Sequence, residues 1–269
     1  MNRLLLAGLA FSALIMPAMA ADMPLKAPAP PPNWTGLYWG VNAGWVGSSQ
    51  YDITNTGTDS GPLGLGTFLR IGAIPGSILV SHSGFIGGGQ IGYNWQLDPS
   101  WVWGVEADFQ GTTTNGSAGS VAMVGLPFAL PGNFTTVYKY ELDDIGTVRA
   151  RLGWLSSPNL LWYGTGGLAY GQTKLSTSAQ CATCIVPFQN ESTTATYSTH
   201  TTAGWTVGAG VEWKLTPVWS VKAEYLYAEL GSQNNTVVYT YGPFTSSLTS
   251  TAQREKDNIV RFGVNYKIF

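Results

Sequence analysis

The chain has 269 residues, with 13 Lys+Arg against 15 Asp+Glu, a net charge of −2, and 10% charged residues beside 13% aromatics and 34 glycines. A soluble domain carries about a quarter charged residues, so this composition points to a surface that is either hidden or placed in lipid. The near-neutral balance, with no Lys/Arg block, excludes an electrostatically driven nucleic-acid partner.

In chain order, the opening MNRLLLAGLAFSALIMPAMA combines the positive Arg3, an apolar run from Leu4 to Ile15 and the small-x-small Ala18-Met19-Ala20. This is the pattern of a secretory signal peptide over residues 1–20, and its apolar run is short of the roughly 20 residues a spanning helix needs. Residues 21–33 form a leader too rich in proline for a helix or a paired strand. A single domain is expected over 34–269.

From there apolar and polar residues alternate with period two, as in strands whose two faces meet different surroundings. LYWGVNAGW (37–45) sets Leu37, Trp39, Val41, Ala43 and Trp45 against Tyr38 and Asn42. GFIGGGQIGYNW (84–95) sets Phe85, Ile91, Tyr93 and Trp95 against Gln90 and Asn94, and WVWGVEADF (101–109) sets Trp101, Trp103, Val105 and Phe109 against Glu106 and Asp108. DIGTVRARLGWL (144–155) opposes Val148, Leu152 and Trp154 to Arg149 and Arg151, and LLWYGTGGLAYG (160–171) carries Leu160, Trp162, Leu168 and Tyr170 on its apolar face. GWTVGAGVEWK (204–214) sets Trp205, Val207, Val211 and Trp213 against Glu212 and Lys214, and WSVKAEYLYAEL (219–230) sets Trp219, Tyr225 and Tyr227 against Lys222 and Glu224. The closing IVRFGVNYKIF (259–269) opposes Val260, Phe262, Val264 and Tyr266 to Arg261 and Lys267.

These eight strands are joined alternately by tight turns (96–100, 156–159, 216–218) and by long connections (46–83, 111–139, 176–201, 231–257) rich in Ser, Thr, Asn and Gly. Short periplasmic turns alternating with long extracellular loops predict an all-β fold: an eight-stranded antiparallel transmembrane β-barrel with four long extracellular loops. Closure then turns Glu106, Asp108, Arg149, Arg151, Glu212, Lys214, Lys222, Glu224, Arg261 and Lys267 into a narrow lumen where opposite charges can pair. Trp39, Trp45, Trp95, Trp101, Trp103, Trp154, Trp162, Trp205, Trp213 and Trp219 lie near strand ends, where a barrel places its interfacial girdles. The glycine runs GGGQIG and GTGGLAYG lie inside strands, not between a strand and a helix, so they are not phosphate loops.

Cys181 and Cys184 form CATC in the third long loop without a second pair or a following helix, which in an exported chain reads as a small loop disulfide. His82 and His200 fall at extracellular strand ends as rim histidines without a catalytic partner. SHSG offers Ser83 directly after His82, which fails the His-x-Ser spacing a barrel lipid A deacylase would want. No catalytic residue, metal site or cofactor is assigned from the sequence.

The ordered motifs GLYWGVNAGW, GGGQIGYNWQ, GVEADFQG, GTVRARLGW, YGTGGLAYG, VGAGVEWKL, VKAEYLY and RFGVNYKIF resemble the alphaproteobacterial outer-membrane immunogenic proteins of the rhizobial and brucella type, small OmpA-like barrels labelled porin-family. The resemblance implies a structural outer-membrane barrel and surface antigen in contact with outer-membrane lipid and lipopolysaccharide. It also implies insertion by the barrel-assembly machinery and host or environmental ligands at the loops. The machinery favours a terminal aromatic with Tyr two before it; here Phe269 keeps the terminal place, Lys267 holds the second position and Tyr266 lies one further back. Two further roles come with the family, a narrow porin and a haem-binding surface protein, the latter drawing on Tyr197, Tyr239, Tyr241, His82 and His200. Ten charged groups in an eight-stranded lumen favour the closed barrel.

Overall fold

The computed structural model describes residues 33–62, 64–124, 132–181, 192–194, 198–241 and 243–268. The elements in chain order are β1 (Gly36–Ser48), β2 (Tyr51–Asp59), α1 (Leu65–Arg70), β3 (Ser77–Val80), β4 (Ser83–Gln96), β5 (Trp101–Thr112) and β6 (Gly116–Val124). Then follow β7 (Gly132–Ser157), β8 (Leu160–Cys181), β9 (Ser192–Thr194), β10 (Ser198–Lys214), β11 (Trp219–Leu230), β12 (Gln233–Tyr241), β13 (Phe244–Ala252) and β14 (Glu255–Lys267). The signal-peptide segment 1–20 and the leader up to residue 32 lie outside the described residues.

Eight strands, β1, β4, β5, β7, β8, β10, β11 and β14, close into an antiparallel barrel, each hydrogen-bonded to two neighbours, with β14 returning to β1. Closure leaves no unpaired strand edge, a requirement in hydrocarbon, where a backbone N–H or C=O has no water to turn to. The outward side chains are apolar and bare, with Phe85 68%, Leu168 71% and Phe262 66% exposed. In water such a surface would aggregate; in lipid it is the solvated face. Three tight turns close one end, and in the first Asp98 Oδ1 accepts from the backbone N–H groups of Ser100 (2.7 Å) and Trp101 (2.8 Å).

The long connections at the other end are themselves largely strand. β7 and β8 run for 26 and 22 residues, well beyond the periodic stretches 144–155 and 160–171. β6 and β9 pair along these extensions. From the other long connections, β12, β13, β2 and β3 build a separate four-stranded antiparallel sheet. This cap sheet packs on the extended ribbon. Tyr51, Ile53, Val80 and Ala252 meet Tyr138, Tyr140 and Leu175, Asn55 Nδ2 donates to Tyr138 Oη (2.6 Å), and Asn235 Nδ2 donates to the Leu175 carbonyl (3.1 Å). Further out, Leu65, Phe68, Ile74, Val237 and Leu248 cluster with Phe134, and Phe68 stacks on Phe134 at 4.8 Å.

Strand register fixes the height of each inward residue. On β14, Lys267, Asn265, Gly263, Arg261, Ile259, Asp257 and Glu255 point inward in that order from the periplasmic end, beside Tyr38, Gly40, Asn42, Gly44, Val46 and Ser48 of β1. The interior is banded accordingly. A periplasmic apolar plug (Trp34, Val102, Leu155, Leu161, Tyr163) comes first, then a charged band, then an apolar layer of Val46, Ile86, Ile145, Leu226, Ala228 and Ile259. Glu255 and Asp257 lie above that layer, under the cap.

Inward glycines make room for the long side chains. A Cβ at Gly210 would stand 2.5 Å from Tyr163 Oη, whereas one at the outward Gly164 meets nothing nearer than 4.0 Å. Gly210→Val should therefore destabilise the folded barrel by about 1–3 kcal/mol, read as a lower urea midpoint in micelles. Gly164→Val should leave the midpoint in place.

Candidate functional site

The charged band is assembled from four cations, Arg149, Arg151, Lys222 and Arg261, and four anions, Glu106, Asp108, Glu212 and Glu224. Alternation puts each on the lumen side of its strand, and the register of β5 with β7 sets Glu106 directly opposite Arg149. Arg149 lies at the centre. Its Nη2 donates to Glu106 Oε1 (2.6 Å) and Asp108 Oδ2 (2.8 Å), its Nη1 to Glu224 Oε1 (3.0 Å) and its Nε to Thr147 Oγ1 (2.9 Å). Arg261 donates from Nε to Glu224 Oε2 (2.7 Å) and from Nη2 to Asp108 Oδ2 (2.9 Å). Lys222 Nζ donates to both oxygens of Glu106 (2.8 and 2.9 Å).

A second knot lies nearer the periplasm. Arg151 Nη2 donates to Glu212 Oε2 (2.6 Å), and its guanidinium stacks 4.1 Å from the Tyr163 ring centroid. Tyr38 donates to Glu106 (2.7 Å), Tyr163 to Glu224 (3.1 Å), and Ser220 and Asn265 to Glu212 (2.6 and 2.9 Å). Removing two charges from water costs several kcal/mol per ion and is offset only when remaining lone pairs and protons are satisfied. The tyrosines, Ser220 and Asn265 supply most of that satisfaction, with Arg151 Nε and Arg261 Nη1 left without a partner among the described residues. The band is closely packed; the pocket at its periplasmic side, among Trp34, Tyr38, Glu212 and Lys214, has a volume of ≈ 20 Å³, room for one water.

Lys214 and Lys267 differ from the expectation for the lumen. Both Nζ atoms donate to the carbonyl of Asn33 (3.0 and 2.8 Å), and Lys214 stands 4.1 Å over the Trp34 ring. They come last on β10 and β14, a layer below the carboxylates, so they grip the incoming N-terminal segment instead of joining the network. The ten tryptophans all face outward. Trp39, Trp95, Trp101, Trp103, Trp154, Trp162, Trp213 and Trp219 crowd the periplasmic side, and Trp45 and Trp205 mark the extracellular one. Tyr266 lies between Trp39 (6.4 Å) and Trp219 (4.9 Å). Phe269, Cys184, Tyr197 and the side chains of Cys181 and Tyr241 lie outside the described residues.

His82 is not at the rim. It is 3% exposed, held between β3 and β4 by Ser48, whose Oγ accepts from the His82 N–H (2.8 Å) and donates to its carbonyl (3.3 Å). Its Nε2 lies 2.9 Å from Glu255 Oε1 and 3.2 Å from Asp257 Oδ1. Asp257 is level with Ser48, three residues outward of Trp45, so the cluster lies beyond the membrane-spanning part. Burial, with Asp257 adding to it, pushes Glu255 up to about 7. Burial alone would lower His82, but Asp257 and Glu255 hold it up at about 9. His200 stands exposed on β10 and Tyr239 belongs to the outer apolar cluster, so the described haem-ligand candidates, His82, His200 and Tyr239, share no common face. Sequence reading missed Glu255 and Asp257; extending the alternation of the last strand back through EKDN would have put both on the face of Arg261.

Residues 6–267 match the family model described as outer membrane protein beta-barrel domain. The chain is 36% identical over 258 residues, 93% of each chain, to the 31 kDa outer-membrane immunogenic protein of Brucella melitensis. It is 30% identical to the 22 kDa outer membrane protein of Rhizobium leguminosarum bv. viciae, over 80% of this chain and 72% of that one. Among solved structures, the outer membrane protein OprG of Pseudomonas aeruginosa aligns over 87% of this chain and 98% of that one, at 11% identity with a TM-score of 0.43.

Removing one partner from the band leaves a buried charge unpaired. Arg149→Met should cost about 3–5 kcal/mol, measured by urea unfolding in micelles. Glu106→Gln with Lys222→Met should cost less together than the sum of the two single changes.

Proposed function

The chain belongs to the outer membrane protein β-barrel domain family, and from that premise we propose that it is a closed, non-conducting barrel whose working surface is the extracellular cap. The protein resides in the outer membrane, in a lipid and lipopolysaccharide environment, and its relatives include outer-membrane immunogenic proteins. The observation that supports closure is the packing of the lumen. The eight paired charges leave no side chain of the band more than 3% exposed, and apolar layers cover both their ends. An ion entering from outside would have to pass the Val46–Ile86–Ile145–Leu226–Ile259 layer, whose apolar lining offers no ligand in place of the ion's own water, and that cost weighs against steady conduction.

In this reading the protein acts as structure and as surface. Residues 1–20 are removed on export, Cys181 and Cys184 close a small loop disulfide, and Tyr266 with Phe269 presents the terminal signal to the barrel-assembly machinery. The charged band locks the strands, and the cap meets host or environmental ligands. No reaction belongs to the role. The narrow-porin reading is the outcome that the following experiment separates.

Protein folded in detergent should migrate differently on SDS gels before and after boiling, and the same preparation in planar bilayers should give no discrete current steps. Stepwise conductance would replace the closed barrel with a pore.

A further inference from the structure

Where the cap meets the barrel, the chain crosses between the two at four places, and two of them carry a cluster of metal-ligating groups. His82 lies on the crossing from β3 to β4, and Glu255 and Asp257 open β14 just after the crossing from β13. His82 Nε2, Glu255 Oε1 and Asp257 Oδ1 lie within 4.8 Å of one another, and all three residues are buried. We propose that these three side chains bind one divalent transition-metal cation of the zinc class, which pins the cap sheet to the head of the barrel.

Three observations converge on this. The separations of 2.9 and 3.2 Å from the imidazole nitrogen to the two carboxylates lie within a few tenths of an ångström of the roughly 3.3–3.6 Å between neighbouring ligands held about 2.0–2.2 Å from one tetrahedral ion. Although near, these atoms make no well-angled hydrogen bond: among the described residues both ring nitrogens of His82, Glu255 Oε1 and both oxygens of Asp257 have no hydrogen-bond partner, and the Asp257 side chain is fully buried. A buried carboxylate without a partner is costly, and here it is aimed into the cluster. Charge makes the third point. Among the described residues the ion pairs of Glu255 and Asp257 run to His82 alone, so an imidazolium offsets only one ionised carboxylate and Glu255 is pushed toward its acid form. A divalent ion on a neutral imidazole balances both carboxylates.

The surroundings also fit. The remaining oxygen of Glu255 is held by the Tyr140 hydroxyl, which itself accepts from Gln233 Nε2 (3.1 Å). An outer partner of this kind fixes a ligating carboxylate in orientation and leaves its other oxygen for the ion. The mixed nitrogen and carboxylate donors suit zinc or manganese better than the all-oxygen sets of calcium and magnesium. The apolar layer below and Tyr51 and Val80 above keep the cluster dry, so the ion enters as the chain folds.

The test uses the untagged chain with Cys181→Ser and Cys184→Ser, refolded in micelles with zinc or with chelator, dialysed, and analysed for bound metal. Heat modifiability on SDS gels reports folding. We expect about one zinc per chain, affinity weakened at least about tenfold in Asp257→Asn and His82→Ala, and no change in the exposed His200→Ala. Absence of stoichiometric zinc in the parent protein would overturn the proposal, as would folded Asp257→Asn or His82→Ala that retains zinc as tightly as the parent. Should neither variant fold, pulsed electron paramagnetic resonance of the copper-loaded parent decides: imidazole nitrogen coupling that persists in His200→Ala supports the site, and its absence overturns it.

Discussion

A barrel of eight strands is so narrow that its interior belongs wholly to side chains, and that limit governs the rest of the molecule. With the outer face committed to hydrocarbon, every charged group of the spanning strands has to turn inward. Once inside, it must find an opposite charge or, as Lys214 and Lys267 do at Asn33, a backbone carbonyl within reach. Arg149 answers the constraint most fully, since one guanidinium on β7 serves Glu106 and Asp108 of β5 and Glu224 of β11. The glycines answer it from the other side. Gly210 leaves the volume into which the Tyr163 hydroxyl reaches, and Tyr163 in turn holds Glu224.

The same constraint explains the banding. A charged layer with water at either end would lose much of its pairing strength to screening and competition. Here Trp34, held by Gln96 and by the Pro158 carbonyl, closes the periplasmic mouth, and the Ile259 layer closes the other. Above that layer the interior turns polar again, and His82 with its two carboxylates occupies the neck between barrel and cap. The molecule thus keeps two separate charge centres. One is balanced in itself, four against four; the other sets two carboxylates against a single histidine.

The spanning strands were legible in the sequence because alternation is a local property. WSVKAEYLYAEL shows both faces of β11 without any knowledge of its neighbours, and lipid makes the contrast between faces strong. The cap was not legible for the opposite reason. In FTSSLTSTA, β13 sets Ser and Thr on both faces, since its buried side packs through Ser246 and Ser250 hydroxyls as much as through Leu248. The extensions of β7 and β8 likewise alternate Thr, Tyr and Ser against one another. The site residues divide along the same line. Charges in the middle of strands could be placed by face alone, whereas Lys214 and Lys267 depended on height, and His82 depended on partners more than 170 positions away in the chain.

The cap sheet has one more consequence. Its four strands come from two stretches of chain separated by the greater part of the barrel, with β2 laid against β13 across nearly two hundred residues of sequence. The extracellular face of the cap is therefore a mosaic, its two central stripes drawn from opposite ends of the polypeptide. A short peptide copied from either stretch carries one outer pair of strands but only half of the central pair. Only the assembled fold presents that central pair, and along β13 the outward positions alternate with side chains buried in the packing beneath.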